Sequence, residues 1–472
     1  MKEASRLCVD AKRYNPFMSK TYRPYDPDQM FLLPPSVKDW LPTGHLSHFI
    51  ADVVERLDLS AITEVYERQE RGQPPYHPKM MVRVFLYAYS VGLPSSRKIE
   101  KAVVEEVALR YLAANNAPDF RTIADFRKRH LRALRGLFLQ VLKLCEKAGM
   151  VKLGHVSLDG TKMKANASKH KAMSYARMTK EEARLQAEVD EMLRRAEEID
   201  AKEDAEFGPD KRGDELPPEL ANRETRLKKI QEAMAELERE AREEAEAKKR
   251  EQEARKAEKD PRGRKPSEPD ATPEDKAQKN FTDPESRIMP QSGAKGSFMQ
   301  GYNCQAVVDS KEQIIVAEDV TQQTNDSKQA TPMLDQVKAN TGKAPRRASM
   351  DAGYFSAQNV EAIEKMGIEP FIPPERQKHG QSTISTPRGR MPKDLSTKDR
   401  MKRKLLTKRG RAIYAMRKAI VEPVFGQIKQ GRGLRQFLLR GLEKVKAEWA
   451  LICATHNLLK LWRRQVRVCA TG

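Results

Sequence analysis

Three carboxylates in three short phrases have the chemistry to act together: Val-Ser-Leu-Asp159-Gly-Thr-Lys162, Ala-Ser-Met-Asp351-Ala-Gly-Tyr354 and Val-Glu422-Pro-Val-Phe-Gly-Gln-Ile-Lys429. Each Asp ends a short apolar run that reads as a buried strand, and Glu422 lies in a stretch that reads as a helix. Hard divalent cations prefer oxygen ligands, so two Asp and one Glu suit Mg²⁺, with Mn²⁺ as the substitute. Two such ions, about 3.5–4 Å apart, activate a water or hydroxyl and stabilise the leaving oxygen in displacement at phosphate. The expectation is therefore two ions held by Asp159, Asp351 and Glu422. Taken singly the phrases are weak, because Asp before Gly is also a common turn pair. Their weight comes from whether one fold can bring all three together.

The charge balance points the same way. The chain has 472 residues and a formal net charge of +21, with a pI near 9.6. A surplus of that size favours a polyanion such as nucleic acid. It is unevenly spread: residues 180–258 hold 26 acidic and 18 basic side chains, a local net of −8, which leaves about +29 on the rest. No run approaches the roughly 20 apolar residues that span a bilayer, and the N-terminus lacks the apolar core of an export signal. The expectation is a cytoplasmic protein with no membrane partner. Cys8, Cys145, Cys304, Cys453 and Cys469 are odd in number and far apart, which fits reduced thiols rather than a disulfide framework or a zinc site.

The elements that must position the acids can be read in order. Residues 1–40 are proline-rich and read as an irregular arm. Residues 41–150 read as a helical domain with helices at His45–Leu57, Lys79–Val91, Arg97–Ala113, from Thr122, and at Leu131–Lys147, stopped near Gly149. Val151–Leu158 reads as a strand delivering Asp159. Residues 179–280 read as a charged helical insertion, broken between 208 and 218 and ending in a flexible linker over 260–280. Then come a hairpin of Gln300–Val308 and Gln313–Val320, a helix at Asp326–Ala339, and a strand at Arg346–Met350 delivering Asp351. A helix at Ser356–Met366, a strand at Ile368–Ile372, a polar loop over 375–410, a helix from Gly410 to about Gln430 and a final helix at Leu442–Arg464 complete the chain. An antiparallel start feeding into strand–helix alternation is a ribonuclease-H-like α/β arrangement, a mixed sheet flanked by helices. In that arrangement the first and fourth strands are neighbours, which would join Asp159 to Asp351 across the insertion. The catalytic domain is then 151–178 with 281–472.

Basic residues near these elements are the candidate DNA contacts. They include Arg127 and Arg129 within the basic helical cluster from Arg121 to Arg135, and Lys162, Lys164, Lys169 and Lys171 after the first Asp. Arg388 to Lys418 adds 13 Lys or Arg against Asp394 and Asp399. Lys429 follows Glu422 by two helical turns, so it shares that face and could grip a phosphate. Arg417 precedes Glu422 by five, an offset of about 140° that makes the two diverge unless Pro423 disturbs the helix. His155, four before Asp159, reads as a packed histidine behind the site.

These phrases resemble bacterial insertion-sequence transposases of the DDE class, in the branch with a Tyr-Arg-Glu-Lys pattern about the last acid. Tyr22-Arg-Pro-Tyr, Leu32-Leu-Pro-Pro, Asp159-Gly-Thr-Lys, Lys164-Ala-Asn-Ala-Ser-Lys169, Phe281-Thr-Asp-Pro, Gly301-Tyr-Asn-Cys-Gln, Asp351-Ala-Gly-Tyr and Val421-Glu-Pro-Val-Phe-Gly-Gln-Ile-Lys carry the likeness across almost the whole chain. The resemblance implies Asp159, Asp351 and Glu422 as the metal triad, with Tyr414, Arg417 and Lys429 in support. It implies an N-terminal helical domain that reads terminal inverted repeats, cleavage of 3′ ends, and transesterification into target DNA. The implied partners are double-stranded DNA at the element ends and target, and a second copy of the chain in the DNA complex. Two features depart from the pattern: four residues rather than three separate Arg417 from Glu422, and the large insertion follows the first Asp. The alternatives are a nuclease of the same fold without strand transfer, and a DNA-binding protein that has lost catalysis.

Overall fold

The structure is a computed structural model, and it describes residues 36–67, 74–168, 171–207, 218–258, 268–291, 297–375, 386–387, 389, 392 and 394–471. The expected arm over 1–40 and Lys169 lie largely or wholly outside that set.

The sheet holds six strands. β1 (Val156–Lys164) pairs antiparallel with β5 (Phe298–Asp309) and parallel with β7 (Arg347–Ser349). β7 pairs parallel with β8 (Glu369–Phe371), and β6 (Ile315–Thr321) pairs antiparallel with β5. β4 (Arg287–Pro290) adds to the first residues of β5. The order β6-β5-β1-β7-β8 is the ribonuclease-H-like one, and the first strand and the strand before Asp351 are indeed neighbours. One expectation needs correction. Asp159 does not end its strand; β1 begins at Val156 and runs five residues past it. The backbone before it is interrupted at Leu153, at φ +53°.

Helices cover this sheet. α10 (Ala330–Thr341), capped at its C-terminus by left-handed Gly342, links β6 to β7. α11 (Ala357–Lys365), capped by Ser356, links β7 to β8. The stretch read as a polar loop contains α12 (Thr397–Leu406), where Ser396 and Asp399 form a reciprocal cap. α13 (Lys408–Gly426) lies against β1, β5, β7 and β8 and passes into a π-turn over Gln427–Gly431. α14 (Leu442–Thr471) packs on β6.

N-terminal helices occupy the other side of α14: α1 (Leu46–Val54), α2 (Ser60–Glu67), α3 (Pro78–Ser90), α4 (Ser96–Glu105), α5 (Val107–Leu112), α6 (Phe120–Arg129) and α7 (Leu131–Lys147). The single helix expected over Arg97–Ala113 is two, broken by extended backbone at Glu106. α2 was not foreseen. α3 and α7 pack on α14, and the buried side chains of these helices and of the sheet form one continuous core.

The insertion is a helical hairpin of α8 (Tyr175–Phe207) and α9 (Pro218–Glu258), standing on a small two-stranded sheet of β2 (Ala172–Ser174) and β3 (Gln278–Asn280). It has its own small core of Met178, Leu185, Leu227, Ile230, Ala233, Met234 and Leu237. Its base is clamped by buried Lys279, whose ammonium lies 3.0 Å from Glu236 and 2.7 Å from Glu240. Residues 278–280 are thus strand, where a flexible linker was expected.

Candidate active site

The acids arrive from three elements. Asp159 stands on β1. Asp351 follows β7 and caps a short 3₁₀ turn, its Oδ1 accepting the Gly353 N–H at 2.9 Å. Glu422 stands exposed on α13. Arg417, on the same helix, joins them: its Nη1 donates to Asp159 Oδ2 at 2.9 Å, and its Nη2 lies 3.8 Å from Glu422 Oε1. The five-residue offset does not keep it from the site, because the long side chain spans what the helical phase separates. Its guanidinium also sits 6.0 Å from the centre of the Tyr414 ring, and burial raises the Tyr414 phenol above its ordinary pKa.

Asp159 is held under strain of charge. Its side chain is 19% exposed. Burial pushes its carboxyl up to about 6; Asp351 pushes the same way, while Arg417 pulls down.

Behind Asp159 lies a polar brace that the sequence reading did not assign. Asn303 and Gln305, both fully buried on β5, donate to Asp326 Oδ1 at 2.6 and 2.7 Å. Gln305 Oε1 accepts from the Tyr354 hydroxyl, and Gln305's carbonyl accepts from Trp449 Nε1 at 3.1 Å. Gly160 makes room for this. A Cβ there would lie 2.6 Å from Gln305 Nε2 and 2.9 Å from Asp326 Oδ1. The signal was present: Asn303 and Gln305 alternate as polar residues within the largely apolar run Tyr302–Val308, so they share one face and need partners.

Several expected DNA contacts are placed elsewhere. Arg127 is buried, and its guanidinium donates to Tyr89 Oη and the Pro94 carbonyl at 3.0 Å each and to Ser96 Oγ at 3.3 Å. It ties α6 to α3 and the turn after it, and is not a surface contact. Lys162 is 13% exposed; its ammonium donates to the Thr324 carbonyl at 3.1 Å and lies 3.5 Å from Asp326. The π-turn removes Lys429 from the simple seven-residue phase, and its ammonium donates to the Lys162 carbonyl at 2.7 Å. Lys164 and Arg129 are exposed. His155 is a packed residue, with Nε2 2.9 Å from Ser349 Oγ. Part of the basic run after Arg388 is neutralised: Arg400 pairs with Glu364, and Lys404 and Arg409 with Glu369.

The donor chemistry fits divalent cations. Asp159 and Asp351 could offer carboxylate oxygens whose repulsion a cation would relieve, and Glu422, which shares Arg417 with Asp159, could offer a third. Among the described residues, no group of three His, Cys, Asp or Glu side chains is arranged to hold a metal ion. Arg417 is the cation that faces Asp159 here.

Residues 267–458 match the family described as Transposase DDE domain, and residues 35–129 match the family described as Transposase domain (DUF772). The chain belongs to the DDE transposases of insertion sequences. The first match takes in Asp351, Arg417 and Glu422, and β1 with Asp159 precedes it. No curated protein and no solved structure matches the chain. This transposase is accordingly a DNA-transposing enzyme, and no helix among its described residues is long and apolar enough to cross a membrane.

Proposed function

We propose that this transposase cuts the 3′ ends of its own element and joins them to target DNA, using Asp159, Asp351 and Glu422 on two Mg²⁺ or Mn²⁺ ions. The observation that carries the reading is the convergence of Asp159 and Asp351 from adjacent parallel strands onto an Arg417 that also approaches Glu422. Ions held there supply a Lewis acid for the phosphate and a deprotonated nucleophile at neutral pH.

The chain's own residues do the rest. Asp159, on a strand paired on both sides, fixes the site to the rigid sheet, while Asp351 enters from a turn braced by Tyr354 and Gln305. Arg417, once released from Asp159, is placed to hold a phosphate oxygen through its paired N–H groups. In the first step a water oxygen bonds to phosphorus and the 3′ oxygen leaves as a hydroxyl. In the second, that hydroxyl attacks a target phosphodiester and another 3′ oxygen leaves, so the number of phosphodiester bonds is conserved. Recognition of the inverted repeats belongs, in this reading, to the helices of residues 41–150, with Arg129 among the exposed cations.

The test uses purified protein, Mg²⁺ and duplex DNA carrying the sequence that flanks the gene. Asp159→Asn and Glu422→Gln are expected to lower cleavage by roughly 10²-fold or more. Cleavage by either variant at the wild-type rate sinks the triad. Cut ends without joined products favour the nuclease instead.

A further inference from the structure

A groove of about 660 Å³ opens at the far end of β1, where β5 begins and the chain passes into the insertion. Its lining includes Lys164, Lys171, Arg440, Phe298 and Gln436. Among the described residues that line it none is acidic, in a chain with 67 Asp and Glu. Lys164, Lys171 and Arg440 are exposed, and Phe298 presents an aromatic ring that is 55% exposed. The groove wall is also rigid. The Lys164 carbonyl accepts from the Phe437 N–H at 2.9 Å, the Ala165 N–H donates to Gln300 at 2.9 Å, and Arg440 Nε donates to the Asn166 carbonyl at 2.9 Å.

Exposed cations, neutral amides and hydroxyls, and an open aromatic face are the features of a surface for a nucleic-acid backbone. The distance to the acids sets which part of the DNA it meets. Lys164 is five residues beyond Asp159 on one continuous strand, a separation of about 17 Å. The groove therefore meets flanking DNA rather than the bond being cut.

We infer that this groove is the seat for the backbone of the DNA being cut, with Lys164, Lys171 and Arg440 on its phosphates and Phe298 against an adjoining sugar or base. The inference rests on the reading of the chain as a DNA-cutting transposase, and adds where the substrate runs on it.

The test measures the salt dependence of binding to a fluorescein-labelled duplex by anisotropy, on the full chain. Lys164→Gln with Lys171→Gln is compared with Lys338→Gln and Lys365→Gln, which remove the same charge from α10 and α11. Neutralising two phosphate contacts flattens the slope of log K against log salt by about two units, and the control pair leaves it unchanged. Phe298→Ala, which alters no charge, lowers affinity several-fold with the slope kept. On duplex bearing the cleavage site, the groove pair loses hydroxyl-radical protection at backbone positions flanking the cut. Equal slopes for wild type and groove pair, or equal flattening by both pairs, overturn the inference and leave the transposase reading standing. Wild-type protein that binds no duplex at low salt overturns both.

Discussion

At the scale of single residues the site is a charge problem held in suspense. Asp159 keeps a carboxyl pushed up to about 6, chiefly by burial and further by Asp351. A folded pKa above the unfolded value means stability that is present below about pH 4 and lost as pH rises through 6. Above that range the folded protein carries a charge its surroundings disfavour. Asp159→Asn keeps an acceptor for Arg417 and removes that charge, so it is expected to abolish cleavage yet stabilise the cation-free fold. The gain is on the order of 1–3 kcal/mol at pH 7.5 and vanishes near pH 4. Urea denaturation of both proteins at the two pH values decides it; a variant less stable at pH 7.5 would show that the Arg417 pair outweighs the repulsion. The two strand acids could be read in the sequence because a lone carboxylate closing an apolar run is conspicuous. Arg417 could not be placed, since helical phase says where a Cβ points and not how far a guanidinium reaches. Asp326 was missed because nothing local marks a loop acid whose partners, Asn303 and Gln305, lie on another strand.

At the scale of elements, α13 is the one that breaks a local rule and is repaired from outside. Pro423 lies inside the helix, so no N–H is available for the carbonyl of Ala419, four residues earlier. Gln313, in the turn between β5 and β6, donates its side-chain amide to that carbonyl at 2.8 Å. It does so from left-handed backbone, at φ +56°, while its own carbonyl lies 3.0 Å from His456 Nε2. Gln313→Ala leaves the exposed Ala419 carbonyl to water and is expected to cost about 0.5–1.5 kcal/mol. Adding Pro423→Ala restores a helical donor and should recover part of the loss. A double-mutant cycle on urea midpoints measures the coupling, and strictly additive losses would remove Gln313 from this role. The same repair explains what was legible here. Periodicity placed a helix through Glu422. The π-turn over Gln427–Gly431 has no local signature, so helical phase could not show that Lys429 reaches the Lys162 carbonyl on β1. α12 was likewise hidden, because its polar and basic composition resembles a loop and only Met401 and Leu405 are buried along it.

At the scale of the whole molecule, α14 decides the architecture. A boundary near residue 150 follows from the change from helices to strands. Packing ignores it, since Cys145 on α7 reaches the Asn457 carbonyl and Trp462 Nε1 donates to the Gly44 carbonyl at 2.9 Å. On its other side Asn457 bonds both the N–H and the carbonyl of Ile315, at 2.9 Å each. Such long-range contacts are invisible to periodicity. The interior they create traps two histidines in their neutral form: burial, aided by Arg347, brings His155 down to about 4, and burial, aided by Arg432, brings His456 down to about 3. A depressed folded pKa contributes stability that is full above the unfolded value near 6.5 and lost as pH falls through the folded one. Asp159 works in the opposite direction between about 6 and 4, and so do Asp283, Asp309, Glu318 and Glu448, whose carboxyls burial also raises, so the histidine contribution is read by comparing variants and not from the total. Between pH 7 and about pH 4.5 His155 by itself is expected to remove about 2–3 kcal/mol of stability. His155→Gln keeps a hydrogen-bonding group beside Ser349 without a proton to gain. Its denaturation midpoint should drop less than that of the wild type over the same interval. Parallel drops would mean that His155 is already solvated in the native state, and that the core around β1 and β7 is looser than its packing implies.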